Sequence, residues 1–351
     1  MLQEIKVLVV DDSAFMRKVI SDILNADPRI RVIATARNGE EALKKRRELR
    51  PDVITLDVEM PVLDGLETLK RLMEEDPCPV VMVSSTTREG ARNTLIAMEY
   101  GAVDFVTKPS GSISLDMEKV GAEMRKKVIL AAKANVTYAR KPKKQTFSFF
   151  RPIVKKPFGW RRKVVAIGTS TGGPKALKEV ITQLPSNFDA PIFIVQHMPA
   201  HFTRTLAERL NALANIHVKE AEDGEKVENN TAYIAPGGYH MEVVTRDRAL
   251  YIRTHLGAPK RGHRPAVDVL FESLANIDEI ETIAVIMTGM GADGSEGLVA
   301  LKRTGRCYSI AESEQSCVVF GMPKAAIKTN LVDDVVHLDK IANKIVEKLG
   351  D

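Results

Sequence analysis

Four short apolar runs in the first third of the chain each end in a polar residue, and stretches of helical spacing fill the gaps between them. Ile5–Val10 runs into Asp11-Asp12, Val53–Leu56 into Asp57, Val80–Val83 into Ser84-Ser85, and Phe105–Thr107 into Lys108-Pro109. The intervening stretches, such as Phe15–Leu24 and Glu40–Leu49, carry an amphipathic pattern. Near-continuous apolar strands alternating with helices belong in a parallel sheet covered on both faces. The same grammar returns from Val164, with apolar runs at 164–167, 191–196 and 282–287. The expected fold class is therefore α/β, with two doubly wound domains.

Doubly wound sheets bind their ligands at the carboxyl ends of the strands, so those ends are where chemistry is sought. The run Val164-Val165-Ala166-Ile167 breaks into Gly168-Thr169-Ser170-Thr171-Gly172-Gly173-Pro174. Glycines at that corner allow a sharp turn, and Ser170 is thrust out of it in a G-x-S-x-G pattern, as a nucleophile should be. A phosphate or dinucleotide turn would look similar. A nucleophilic serine needs a base, and the base needs an orienting carboxylate. Of seven histidines, His197 directly follows the strand Pro191–Gln196 and precedes Met198-Pro199, which stops it. His263, in the basic loop Lys260-Arg261-Gly262-His263-Arg264-Pro265, is its rival. Asp293 lies in Met287-Thr288-Gly289-Met290-Gly291-Ala292-Asp293-Gly294, after the strand Thr282–Met287. Three glycines there free backbone N–H groups to point inward, as an oxyanion hole requires. The order Ser170, His197, Asp293 differs from the Ser, acid, His order of the α/β-hydrolase superfamily, so the serine pattern does not imply that fold. A nucleotide-binding oxidoreductase is the competing class. The chain lacks G-x-G-x-x-G at this corner, and the next strand ends in Gln196-His197 rather than a ribose-binding acid.

The strand ends of the first third bring together three carboxylates (Asp11, Asp12, Asp57), an alcohol (Ser84) and an amine (Lys108). Clustered carboxylates repel unless protons or a cation intervene, and a hard divalent ion, Mg²⁺, is the natural partner for oxygen ligands. Lys108 adds a donor for a phosphoryl oxygen. Taken singly, Asp11 or Asp12 reads equally as an N-cap for the helix from Ala14, and Lys108 as a solvated turn residue.

At 351 residues the chain is long enough for two cores. Three cysteines with no metal-ligand spacing are expected to be reduced thiols. No apolar run reaches membrane-span length and no signal-peptide pattern opens the chain, so a cytoplasmic protein without membrane insertion is expected. Between Ala139 and Lys163 lie ten Lys or Arg, no Asp or Glu, three Pro, four Phe and Trp160. Loss of periodicity marks a tether there. Basic residues interleaved with aromatics also fit a DNA-binding regulator, but no helix-turn-helix pattern follows, and a net charge of +5 that rests largely on this tract does not argue for nucleic acid.

Two sets of motifs carry a resemblance. Val9-Val10-Asp11-Asp12-Ser13, Leu56-Asp57-Val58-Glu59-Met60-Pro61, Asp64-Gly65, Ser84-Ser85 and Thr107-Lys108-Pro109 resemble a response-regulator receiver. Gly168–Gly173, Gln196–Pro199, Ala235-Pro236-Gly237, His263–Asp268 and Thr288–Gly294 resemble the catalytic domain of the chemotaxis receptor methylesterases. The resemblance implies a flavodoxin-like (βα)5 receiver over 1–125 and a linker over 126–163, which takes in the end of the last receiver helix. It implies a Rossmann-like three-layer α/β/α catalytic domain over 164–351. It implies phosphorylation of Asp57 by a chemotaxis histidine kinase, with Mg²⁺ held by Asp12, Asp57 and the Glu59 carbonyl and supported by Asp11. Ser84 and Lys108 would contact the phosphoryl group, and Phe105 would be the aromatic switch. In the second domain it implies a Ser170–His197–Asp293 triad with Thr171 and the Met290 backbone near the oxyanion. The implied activity is demethylation of glutamyl methyl esters and deamidation of glutamines on methyl-accepting chemotaxis receptors, with no cofactor for hydrolysis, in a monomer. Thr169 stands where the family commonly has Ala. Arg261, His263 and Arg264 are expected in a loop that recognises acidic receptor helices.

Overall fold

The computed structural model describes residues 4–85, 87–108, 115–134 and 162–350. The chain divides into two compact units, 1–143 and 144–351. The expected tether lies outside the described residues except for Arg162 and Lys163, which open a strand.

The first unit alternates strictly: β1 (Ile5–Val10), α1 (Ala14–Asn25), β2 (Ile30–Ala36), α2 (Gly39–Leu49), β3 (Val53–Asp57), α3 (Gly65–Glu75), β4 (Val80–Ser84), α4 (Arg88–Tyr100), β5 (Asp104–Thr107) and α5 (Leu115–Ala131). The strands form one parallel sheet in the order β2-β1-β3-β4-β5. This is the flavodoxin-like order, and its direction reverses between β1 and β3. Val7–Val10, Ile54, Leu56 and Val80–Val83 are buried, which explains why these strands read as unbroken apolar runs. Side-chain oxygens of Ser13, Asn38, Asp64 and Thr87 accept backbone N–H groups at the starts of α1 to α4, each cap contributing ~1 kcal/mol. The cap of α1 is thus Ser13 and not Asp11 or Asp12, which leaves both carboxylates at the end of β1.

The second unit continues with β6 (Arg162–Thr169), α6 (Gly173–Ile181), β7 (Ile192–Gln196), α7 (Phe202–Asn211), β8 (His217–Glu220) and β9 (Thr231–Ile234). A hairpin of β10 (His240–Arg246) and β11 (Ala249–His255) leads to α8 (Val267–Ala275). Then follow β12 (Ile280–Ile286), α9 (Ser295–Arg303), β13 (Cys307–Glu312), α10 (Met322–Ile327), β14 (Asp334–Val336) and α11 (Leu338–Gly350). Seven strands form a parallel sheet in the order β14-β13-β12-β6-β7-β9-β8. The chain enters at β6, adds β7, places β8 at the edge with β9 inserted between β7 and β8, and returns to build from β12 on the other side. The switch point therefore falls between β6 and β12. The antiparallel hairpin was not anticipated from sequence. It buries Met241, Val243, Leu250 and Ile252 in the same core as Leu270, Phe271 and Leu274 of α8. No helix among the described residues is long and apolar enough to cross a membrane.

Candidate functional site

At the end of β6 the chain turns through Gly172, whose φ of +78° belongs to the left-handed region, and α6 starts at Gly173. A Cβ on Gly173 would lie 1.9 Å from Oε1 of Gln196, and one on Gly289 would lie 2.8 Å from Cβ of Ser170. Side chains are excluded there so that three loops can close on a partly exposed Ser170. Backbone and side-chain hydrogen bonds stitch those loops together. Ser170 N–H and the Thr169 hydroxyl donate to the Thr288 carbonyl at 3.0 and 2.9 Å, and the Thr288 hydroxyl donates to the Thr171 carbonyl at 3.0 Å. His197 N–H donates to the Thr169 carbonyl at 3.2 Å, while Nε2 of buried Gln196 donates to the carbonyls of Ser170 and His197. Thr288 N–H in turn donates to Glu312 at 2.8 Å. Burial pushes the Glu312 carboxyl up to about 7, against the pull of its Thr288 and Ser316 donors. Gln196 and Thr288 fall inside the motifs quoted above but were given no role, and Glu312 was not singled out; each stands at or just past a strand end.

His197 and Asp293 meet across this edge, with Nε2 2.7 Å from Oδ2. Asp293 is almost fully buried and also accepts from Val267 N–H at 2.7 Å, Asp268 N–H at 2.9 Å and Gly294 N–H at 3.0 Å. Burial alone would raise its pKa. The contact with His197 and the backbone donors outweigh that and hold the carboxylate below the usual range. Neighbouring Asp268 goes the other way, raised by its own burial against the opposing Gly297 N–H. An aspartate accepting from Nε2–H fixes the tautomer of His197 and leaves Nδ1 as the nitrogen able to take a proton. That Nδ1 is buried and accepts no hydrogen bond among the described residues. The rival histidine is here too: His263 lies flat on His197, with ring centroids 3.9 Å apart and planes 6° from parallel.

Thr171 is buried beside Ser170, and Met290 follows Gly289, whose carbonyl accepts from Gly321 and Met322 N–H. In the basic loop, Arg261 pairs with Asp268 and Glu296, and Arg264 donates to the carbonyls of Leu256 and Gly257.

In the first unit, carboxylate oxygens of Asp11, Asp12 and Asp57 lie within 4.8 Å of one another. Lys108 Nζ is 2.7 Å from Asp57 and 3.3 Å from Asp11. Exposed Glu59 contributes its N–H to Asp57 at 3.4 Å. Ser84 stands at the end of β4, where its hydroxyl donates to the carbonyls of Ser85 and Gly90 and accepts from Thr94. Phe105 is buried, with Lys127 Nζ 5.1 Å from its ring centroid. Burial raises the Asp57 carboxyl to about 6; Lys108 opposes this and the charge of Asp11 adds to it. A carboxyl whose folded pKa exceeds its unfolded one costs stability as pH rises above 3.8, and the cost is complete above about 6. Asp57→Asn in metal-free buffer at pH 7 is therefore expected to stabilise the fold, by up to ~3 kcal/mol at 1.36 kcal/mol per pH unit. Thermal unfolding at pH 7 and pH 4 checks this: the gain should vanish at the lower pH, and an equal gain at both would contradict the assignment.

An acidic, lysine-bearing strand edge in one unit and a Ser–His–Asp cluster at the switch point of the other define a class: a regulatory α/β domain joined to a serine-hydrolase domain. Comparison with known proteins narrows it. Residues 165–345 match the family described as CheB methylesterase, and residues 7–117 match the response regulator receiver domain. A protein of Halalkalibacterium halodurans named protein-glutamate methylesterase/protein-glutamine glutaminase is 61% identical over 348 residues, covering 99% of each chain. The Bacillus subtilis protein of the same name is 49% identical, covering 97% of each. The crystal structure of the Thermotoga maritima CheB methylesterase catalytic domain is similar at 44% identity and a TM-score of 0.52, covering 53% of this chain and 98% of that one. The chain belongs to the CheB methylesterase family.

Proposed function

We propose that this chain is a phosphorylation-activated serine hydrolase that demethylates glutamyl methyl esters and deamidates glutamines on chemotaxis receptors. The observation that carries the reading is the His197–Asp293 pair, held at the switch point on the same loops that position Ser170. His197 takes the Ser170 proton on Nδ1 as the serine oxygen attacks the γ-carbonyl of the ester. Asp293 keeps the opposite nitrogen protonated and stabilises the imidazolium. Backbone donors near Thr171 and Met290 steady the oxyanion, each such donor being worth about 10²–10³ in rate. His197 then gives its proton to the departing methoxide, water releases the acyl group, and glutamate is regenerated. With a glutamine substrate the leaving group is ammonia. No cofactor takes part in these steps.

The reading takes 1–125 as the receiver, 126–163 as linker and 164–351 as catalytic domain. Asp57 accepts a phosphoryl group from a chemotaxis histidine kinase. Asp11, Asp12 and Asp57 suit Mg²⁺: they are hard oxygen donors gathered within one ion's reach, and the buried Oδ2 of Asp11 has the Lys108 ammonium 3.3 Å away and no closer partner among the described residues. Such an ion would neutralise charge on the transferring phosphoryl group. Lys108, fixed between Asp57 and Asp11, holds its ammonium where a phosphoryl oxygen would arrive. Ser84 would give up its Gly90 carbonyl to reach that oxygen, and Phe105 would report the change. The enzyme works in the cytoplasm as a monomer. Arg264 and its loop meet the acidic receptor helix.

Methanol release from methylated receptor membranes tests the reading. It is expected to rise severalfold with a small phosphodonor and Mg²⁺ in the native chain and to show no such rise in Asp57→Asn. An activation that survives in Asp57→Asn would contradict it.

A further inference from the structure

The loop between β11 and α8, together with the helix start it leads into, touches both members of the His197–Asp293 pair. The first residues of α8 supply the Val267 and Asp268 N–H groups that hold Asp293, and the loop's tip lays His263 flat on the other partner. The tip is a tight turn: Lys260 and His263 exchange backbone hydrogen bonds at 3.0 and 2.9 Å, and Arg261 and Gly262 both have positive φ. Its cations bind it down. Lys260 pairs with Glu272, and Arg261 pairs with Asp268 at 3.2 Å and with Glu296 at 2.5 Å. Arg264 ties the loop's far end back to its start through the Leu256 and Gly257 carbonyls, and its own carbonyl accepts from Gly238 N–H, just ahead of β10. So much anchoring makes the position of the His263 ring a built feature rather than a resting place of a solvated loop.

An imidazole held at one nitrogen still rocks about its last torsion, which is broad for a ring on a tetrahedral carbon. A second ring parallel to it at 3.9 Å removes that freedom on one face. Resting on the hydrolase reading above, we infer that His263 is a positioning residue: a flat platform that holds the His197 ring in the orientation its bond to Asp293 sets. Planarity is the property the role needs, so an aromatic ring without nitrogen should serve and a polar side chain without a ring should not.

The test compares His263→Phe with His263→Asn in the full chain. The Asn variant is expected to lose roughly ten- to a hundredfold in kcat with KM within about twofold, as misplacement of a catalytic group does. The Phe variant is expected to recover to within about threefold of native. A Phe variant as poor as the Asn variant, a loss confined to KM, or an unchanged Asn variant would each overturn the role. Thermal unfolding of both variants separates a failed fold from a misplaced ring. A crystal structure of the Asn variant gives a readout independent of activity: a turned or doubled His197 ring is expected, and an undisturbed one contradicts the inference even if the native chain proves to have another substrate.

Discussion

Ser170→Ala is expected to abolish methanol release and glutamine deamidation, by ~10⁴–10⁶ in kcat, because the serine oxygen is the atom that forms the covalent bond. The same variant should fold as the native chain does. The Ser170 contacts that stitch the site are made by its backbone, N–H to Thr288 and carbonyl to Gln196 and Gly173, and alanine keeps all of them. It should also accept phosphate on Asp57 at the native rate, since Asp11, Asp57 and Lys108 belong to a sheet of their own. Paired assays of ester turnover and of phosphorylation measure both. Ester turnover retained in a folded Ser170→Ala chain would remove Ser170 from the mechanism.

Asp293→Asn should cost nearly as much, for two separable reasons. Each carboxylate oxygen now accepts from donors: Oδ2 from His197 Nε2 and Val267 N–H, Oδ1 from Asp268 and Gly294 N–H. A carboxamide has one oxygen, so its NH₂ must face a pair of donors whichever way it turns. If it faces Val267, a buried N–H loses its acceptor at ~1–3 kcal/mol of stability. The NH₂ also meets His197 Nε2, and the imidazole can accept there only by moving its proton to Nδ1. The base nitrogen is then blocked, and a wrong tautomer in such a triad costs ~10⁴ in kcat. Activity and thermal unfolding measured on one preparation separate the two effects. A variant that is destabilised yet turns over ester within tenfold of native would show that Asp293 serves the fold alone.

Much of this was legible in the sequence because a parallel α/β sheet places its chemistry at strand ends. Asp11, Asp57, Ser84 and Lys108 stand out as polar residues terminating apolar runs, and so do Ser170, His197 and the loop of Asp293. The hairpin was harder to read. Its turn is Asp247-Arg248, both residues with positive φ but neither a glycine, so the usual punctuation is missing. The burial of Met241 and Val243 alternates over only a few residues. Glu312 and Gln196 gave no signal as supports, since a carboxylate or amide at a strand end looks the same whether it binds substrate or holds a neighbouring loop. The anchoring of the basic loop was not legible, because charge is visible in a sequence and pairing is not. Arg261 spends its charge on Asp268 and Glu296, which lie seven and thirty-five positions further on. The stacking of His263 on His197 could not be foreseen from either histidine alone.

The most direct measurement follows labelled methyl groups on receptor membranes exposed to the native chain and to Ser170→Ala, both with a small phosphodonor and Mg²⁺. The account predicts that label leaves as methanol with the native chain and stays on the receptor with the variant. Label that stays put with a native chain phosphorylated on Asp57, or that leaves equally fast with Ser170→Ala, would contradict it.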